Sequence, residues 1–209
     1  MSTQELWSEM LVKSWQHLYL SGAALALAIL VALPAGILLT RVPRVSELIM
    51  NVVGMIQTIP SLAMLALMIP LIGIGTKPTI AALFFYALLP IMRSTYTGVR
   101  SIPPAMIEAG KGMGMTSLQL LFKVEIPACL PVILSGIRIS SVMVVGWATL
   151  GAYIGAGGLG DLIMAGFTTL SNRYILAGGI PVTVIALAAD AMLGFLGRKL
   201  NRTEAAAKA

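Results

Sequence analysis

Glu108-Ala-Gly-Lys-Gly-Met-Gly-Met-Thr-Ser-Leu-Gln-Leu-Leu-Phe-Lys-Val-Glu-Ile-Pro-Ala-Cys-Leu-Pro131 is the most polar stretch between two long apolar regions of the chain. Its pattern predicts a short helix over 117–122, with Thr116 or Ser117 as N-cap and Pro127 and Pro131 as stops. Leu118, Leu121 and Phe122 fall at helical spacing and predict an apolar face that docks on something other than lipid. The segment 101–131 is therefore expected to hold the chemistry the chain performs outside the bilayer.

The regions on either side explain why. Of 209 residues, 58% are hydrophobic and only 11% are charged, and the mean hydropathy is +0.93, values of a membrane protein and not of a soluble domain. A formal net charge of +6 would suggest nucleic acid in a soluble chain. Here the basic residues border apolar runs, which is the mark of membrane topology, and no nucleic-acid partner is expected. One cysteine, Cys129, excludes an internal disulfide, and one histidine, His17, excludes a multi-histidine metal site. No removable signal peptide is expected.

Five apolar runs are long enough to cross a hydrocarbon core about 30 Å thick, which takes about 20 helical residues. They lie at about 18–40, 48–72, 78–99, 132–154 and 174–196, and together make an all-α integral membrane protein of one domain, 1–209. Residues 1–17, with Trp7 and Trp15, are expected to lie at the lipid headgroups. Pro34 and Pro90 predict kinks. Gln57-Thr-Ile-Pro-Ser61 interrupts the second run, with Gln57, Thr58 and Ser61 placed to satisfy backbone groups that Pro60 frees.

With the N-terminus outside and the C-terminus inside, Arg41, Arg44, Arg100, Lys111, Lys123, Arg198, Lys199, Arg202 and Lys208 are cytoplasmic. Only Lys13, Lys77 and Arg173 are outside. That bias follows the positive-inside rule and places 101–131 in the cytoplasm.

Catalytic signals are thin. Gly155-Ala-Gly-Gly-Leu-Gly160 fits the dinucleotide pattern GxGxxG, but it follows a membrane span and lacks the strand that such a site needs. The glycines are expected to turn the chain at the outer face into a short re-entrant helix capped by Asp161. There is no Walker A sequence, so ATP phosphates would have to be bound by a partner. The eight acidic residues form no readable carboxylate pair, and no metal site is expected. Asp190 stands inside the last span, where an unpaired carboxylate costs about 3 kcal/mol. Arg93 and Arg138 are its candidate partners in a structural ion pair. In the fourth span Met143, Trp147, Thr149 and Tyr153 form two i, i+4 pairs. Helix packing is one reading of them, and a pathway lining that meets a cation through aromatic faces is the other.

Glu108-Ala109-Gly110, then Gly114, then nine residues, then Val124-Glu-Ile-Pro127 resembles the EAA motif of permease subunits in ABC importers, with Gly110, Val124 and Ile126 as apolar or small departures. The resemblance implies a type I importer permease fold whose cytoplasmic coupling helix sits on an ATPase. Glu108, Ala109, Gly110, Gly114, Leu118, Leu121, Phe122 and Pro127 would then be the ATPase-coupling residues. It also implies that Gly157, Gly158, Gly160 and Asp161 lie in an external segment that meets an extracytoplasmic substrate-binding protein. Two ATPase subunits, which bind the ATP and Mg, and a second permease, identical or homologous, are the implied partners in a prokaryotic cytoplasmic membrane. Gln57-Thr-Ile-Pro-Ser61, Tyr86-Ala-Leu-Leu-Pro90 and Gly151-Ala-Tyr-Ile-Gly155 look like permeases for osmoprotectants such as glycine betaine, carnitine and choline. The alternatives are a permease for another small solute such as an amino acid, or a stand-alone channel or ion-coupled carrier.

Overall fold

The computed structural model describes residues 3–207, with side chains over 4–199. Lys208, part of the charge bias above, lies outside the described residues, as does the side chain of Arg202. The described chain is built from helices: α1 (Thr3–Arg41), α2 (Pro43–Thr58), α3 (Ser61–Ile72), α4 (Thr76–Arg100), α5 (Pro104–Gly112), α6 (Ser117–Leu120), α7 (Ile126–Ala148), α8 (Leu159–Thr168) and α9 (Asn172–Ala207). A π-helical turn, Leu121–Glu125, joins α6 to α7, and a 3-10 turn, Thr149–Ile154, ends α7.

Each of the five apolar runs is helical, and three details differ from what the pattern predicts. First, residues 3–17 are not a separate interfacial helix. They continue without a break into the first span, giving α1 39 residues, or about 58 Å at 1.5 Å per residue. Within that stretch Lys13, Gln16 and His17 find partners within the protein. Second, the run 48–72 is two helices, α2 and α3, bent by 99° at Ile59-Pro60. Third, Pro127 and Pro131 do not stop the coupling helix. Pro127 follows closely on the π-helical turn and Pro131 lies one turn further, both inside a helix that runs on. The backbone is helical from Ser117 through Ile154.

α4 is the axis of the fold. On one side it receives α1 through Ala24, Ala28 and Ala32, all fully buried. Gly36 extends that ridge, because a Cβ there would lie 2.8 Å from the Met92 carbonyl oxygen. On the other side α7 approaches through Gly136, where a Cβ would lie 2.8 Å from the Pro90 carbonyl oxygen. Within a membrane, helices associate by such close approach of small residues, since lipid supplies no hydrophobic drive.

The bend between α2 and α3 is held by α4. Pro90 has no N–H to offer the Tyr86 carbonyl one turn back, and Gln57 Nε2 donates to that carbonyl at 2.8 Å. The Tyr86 hydroxyl in turn donates to the Ile59 carbonyl, at the break, at 2.5 Å. Of the residues expected to satisfy groups freed by Pro60, Gln57 instead serves the carbonyl freed by Pro90, and Thr58 bonds its own helix at Met55; the carbonyl at the break is met by Tyr86.

Candidate functional site: the elbow and the α8 hairpin

α5 and α6 form an elbow between α4 and α7. α5 closes with two bonds of a Schellman arrangement, Gly114 N–H to the Lys111 carbonyl at 2.9 Å and Met115 N–H to the Gly110 carbonyl at 3.2 Å. Gly114 sits at φ +75° in open space, so backbone conformation and not crowding requires glycine there. α6 then opens on a reciprocal capping box. Thr116 Oγ1 accepts from the Gln119 N–H at 3.3 Å, and Gln119 Oε1 accepts from the Thr116 N–H at 2.9 Å. Gly110 is buried, and a Cβ there would stand 2.5 Å from Leu120 Cδ1. The departure from alanine at this position thus makes room for Leu120, the residue that anchors α6.

The elbow exposes large apolar side chains among the polar Thr116, Ser117, Gln119 and Lys123. Leu118 is 69% exposed, Phe122 64% and Met113 70%. Leu121, expected on the same face, is only half exposed. Met113 was invisible to the helical spacing because it lies in the turn before α6. Glu108, Ala109, Lys111 and Pro127 are exposed around this patch. Beneath it, Glu125 in the π-helical turn is buried to 2% and paired with Arg41 at the end of α1. That pair joins residues 84 apart in sequence and has no local signal.

At the other end of α7 the chain reverses through Gly155, Gly157 and Gly158, at φ +70°, +82° and +85°. Asp161 does not cap α8. Gly158 holds the cap position without a side-chain bond, and Asp161 instead accepts from Lys13 Nζ at 2.5 Å. Gln16 Oε1 accepts from the Gly158 N–H at 3.1 Å. His17, fully buried, meets the Val145 carbonyl through Nε2 at 2.9 Å. Gly158 and Gly160 are buried, so neither offers surface to a partner, and Gly157 and Asp161 are half-buried. The exposed part of this hairpin is Phe167, Thr168, Thr169 and Leu170.

Arg138 and Asp190 meet as a two-pronged pair, Nε to Oδ1 and Nη2 to Oδ2, both at 2.5 Å. Arg93 is not its partner, because it stands exposed on α4. Trp147 sets its ring edge-on to Tyr86, with centroids 4.5 Å apart, and packs against two core clusters. Met143 is half-buried, Thr149 bonds back to the Gly146 carbonyl, and Tyr153 is exposed at the outer turn.

Residues 24–202 match the family of binding-protein-dependent transport system inner membrane components. The chain belongs to that family. This permease is 53% identical over 198 residues to the carnitine transport permease protein OpuCB of Listeria monocytogenes, covering 95% of this chain and 91% of the relative. It is 47% identical to the choline transport system permease protein OpuBB of Bacillus subtilis (strain 168), covering 92% and 89%. With the osmoprotectant import permease protein OsmW of Salmonella typhimurium the identity is 42%, covering 86% of each chain. Among solved structures, the permease resembles a chain of the inward-facing MetNI methionine ABC transporter. The TM-score is 0.84 at 25% identity, covering 96% of this chain and 99% of that one. The fold is that of type I ABC importer permeases.

Proposed function

We propose that this chain is the permease subunit of an ATP-driven importer that carries a small quaternary-amine osmoprotectant, of the glycine betaine, carnitine and choline class, into the cytoplasm. The observation that carries the powering mechanism is the elbow. An exposed apolar patch of Met113, Leu118 and Phe122 is fixed by caps at both sides of its turn, and its helix is continuous with α7. Such a patch suits a groove of an ATPase subunit, with Glu108 and Lys111 at its polar rim. The solute class is supported by the relatives named above, each of which carries an osmoprotectant or one of these amines in its name.

Two ATPase subunits supply the nucleotide site, with ATP and Mg bound there and not by this chain, which works as a transport subunit and not as an enzyme. The second permease is identical or homologous, and the solute passes between the two. The N-terminus is outside and the C-terminus inside, so the elbow meets the ATPases and the α8 hairpin faces the binding protein. With ATP bound, the ATPases close, draw the two elbows together and turn the cavity outward; hydrolysis reverses this. Arg138 and Asp190 neutralise one another at the α7–α9 contact, and Trp147 braces the α2–α3 bend.

The test is uptake of radiolabelled carnitine, choline and glycine betaine by cells carrying the intact system, alongside co-purification of the ATPase. The reading expects uptake of at least one of the three, and loss of both uptake and ATPase capture when Leu118 and Phe122 are replaced by Asp. Uptake that survives that replacement, or accumulation with no ATPase present, would overturn it.

A further inference from the structure

α1 is bonded by polar side chains at its two ends and by little else that is directional. At its inner end Arg41 holds Glu125, the buried carboxylate at the root of the elbow. At its outer end Lys13 holds Asp161 in the first turn of α8, and Gln16 holds the Gly158 N–H at the start of that helix. One turn further in, His17 bonds the Val145 carbonyl, just before the turn that leads into the same hairpin. Lys13 and Arg41 are separated along α1 by about 42 Å at 1.5 Å per residue. Between them the face toward α4 is the smooth ridge of Ala24, Ala28, Ala32 and Gly36. That ridge carries no directional bond, so the polar tethers of α1 are concentrated at its two ends.

We propose that α1 is a mechanical relay: its two polar ends make the elbow and the α8 hairpin move together, so that events at the outer face alter ATP hydrolysis on the inner face. The inference rests on the coupling role of the elbow given above and adds the route by which the outer face is sensed. The π-helical turn at Leu121–Glu125 fits this role, since such a turn inserted between two helical segments is a common place for a hinge. Glu125 lies on the hinge itself, so a displacement of Arg41 acts on the hinge directly. Arg41 and Lys13 are positioning residues, touching neither solute nor nucleotide.

The experiment uses the complete complex of permease, ATPase and binding protein in proteoliposomes. The binding protein is loaded with carnitine, choline or glycine betaine, whichever stimulates the unmodified complex. Arg41→Gln and Lys13→Gln are each expected to reduce stimulation of ATP hydrolysis by loaded binding protein about tenfold, the size of an ordinary allosteric coupling, while unstimulated hydrolysis stays near its normal rate. The double variant should be no worse than the weaker single one, because both cut the same relay. Losses that multiply in the double variant, or full stimulation in either single one, would overturn the relay. Should Arg41→Gln prevent assembly by stranding Glu125, the exchanged pair Arg41→Glu with Glu125→Arg decides: restored stimulation supports the relay, and an assembled but unresponsive complex refutes it. If the unmodified complex responds to none of the three solutes, the transport reading fails and the relay with it. If the unmodified complex responds and Arg41→Gln and Lys13→Gln both keep full stimulation, the relay alone fails.

Discussion

Two glycines, Gly114 in the elbow before α6 and Gly160 in the hairpin after α7, are required for opposite reasons. At the inner elbow Gly114 stands in open space at positive φ, and the turn projects Met113, Leu118 and Phe122 outward. At the outer hairpin Gly160 is buried, and a Cβ there would lie 2.1 Å from the Thr149 carbonyl oxygen. One glycine permits a backbone shape, and the other permits two segments to touch. The inner turn is therefore built to present a surface, whereas the outer turn is built to be clamped, by Lys13, Gln16 and the 3-10 turn beneath it.

The sharpest way to break this contrast is at Gly160. Gly160→Ala places a methyl against backbone that cannot rotate away, and the expected loss is about 3 kcal/mol or more of stability. Little permease should accumulate in membranes, and what does should melt early in detergent. Recovery of normal amounts with a normal melting temperature would show that the outer hairpin is not clamped. Next in size is the elbow surface. Phe122→Asp leaves the fold intact, because the ring is 64% exposed, but it should weaken ATPase association by about 30-fold or more, the scale of a central interface aromatic. Affinity capture of the ATPase at graded concentrations measures this. Unchanged capture would mean that the apolar patch faces something else.

Much of this arrangement was legible in the residues, and the reasons for the rest are physical. The positions of the long apolar helices followed from run lengths, because a chain that crosses lipid must pair its own backbone and helix does so locally. The short helix of the elbow followed from Thr116 or Ser117 as N-cap and from Gly114 at the turn; the return bond from Gln119 was not read, though its capping chemistry is local. The bonds of Lys13 and Gln16 were not legible, since a polar residue near a span end reads the same whether it faces headgroups or a partner 148 or 142 residues away. Pro127 misled as well: a proline inside a helix reads as a stop, yet here a π-helical turn just before it is built into a helix that runs on. The ridge Ala24, Ala28, Ala32, Gly36 did lie in the sequence at a spacing of four, as a small-residue interface should. Arg138 over Arg93 as partner of Asp190 depended on which helix faces α9, which no local pattern records.

A third comparison separates two aromatic residues that share α7 and its terminal turn. Trp147 packs on Tyr86 and on both core clusters around the α2–α3 bend, whereas Tyr153 is 56% exposed. Trp147→Ala should cost about 2–3 kcal/mol, read as a lowered melting temperature and reduced yield along with reduced uptake. Tyr153→Ala should leave yield and melting unchanged. Loss of uptake in Tyr153→Ala at full protein levels would place that ring on the solute pathway, and normal yield in Trp147→Ala would remove Trp147 from the packing role.

The smallest effect is expected at Gly114, and it tests the contrast most finely because the substitution matches the one made at Gly160. Gly114→Ala meets no neighbouring atom within 4 Å, so its whole cost is the positive φ of +75°, about 1 kcal/mol for an L residue with a Cβ. The permease should be recovered in near-normal amounts with a slightly lower melting temperature. Gly114→Asn should cost less still, because asparagine tolerates the left-handed region and can close the same helix end. ATPase capture should fall a few-fold in the alanine variant, about the factor that 1 kcal/mol supplies, as the strained turn lets the patch wander. If Gly114→Ala instead lost as much protein as Gly160→Ala, the inner turn would be clamped like the outer one, and its exposed face would no longer mark a docking surface held ready for a partner.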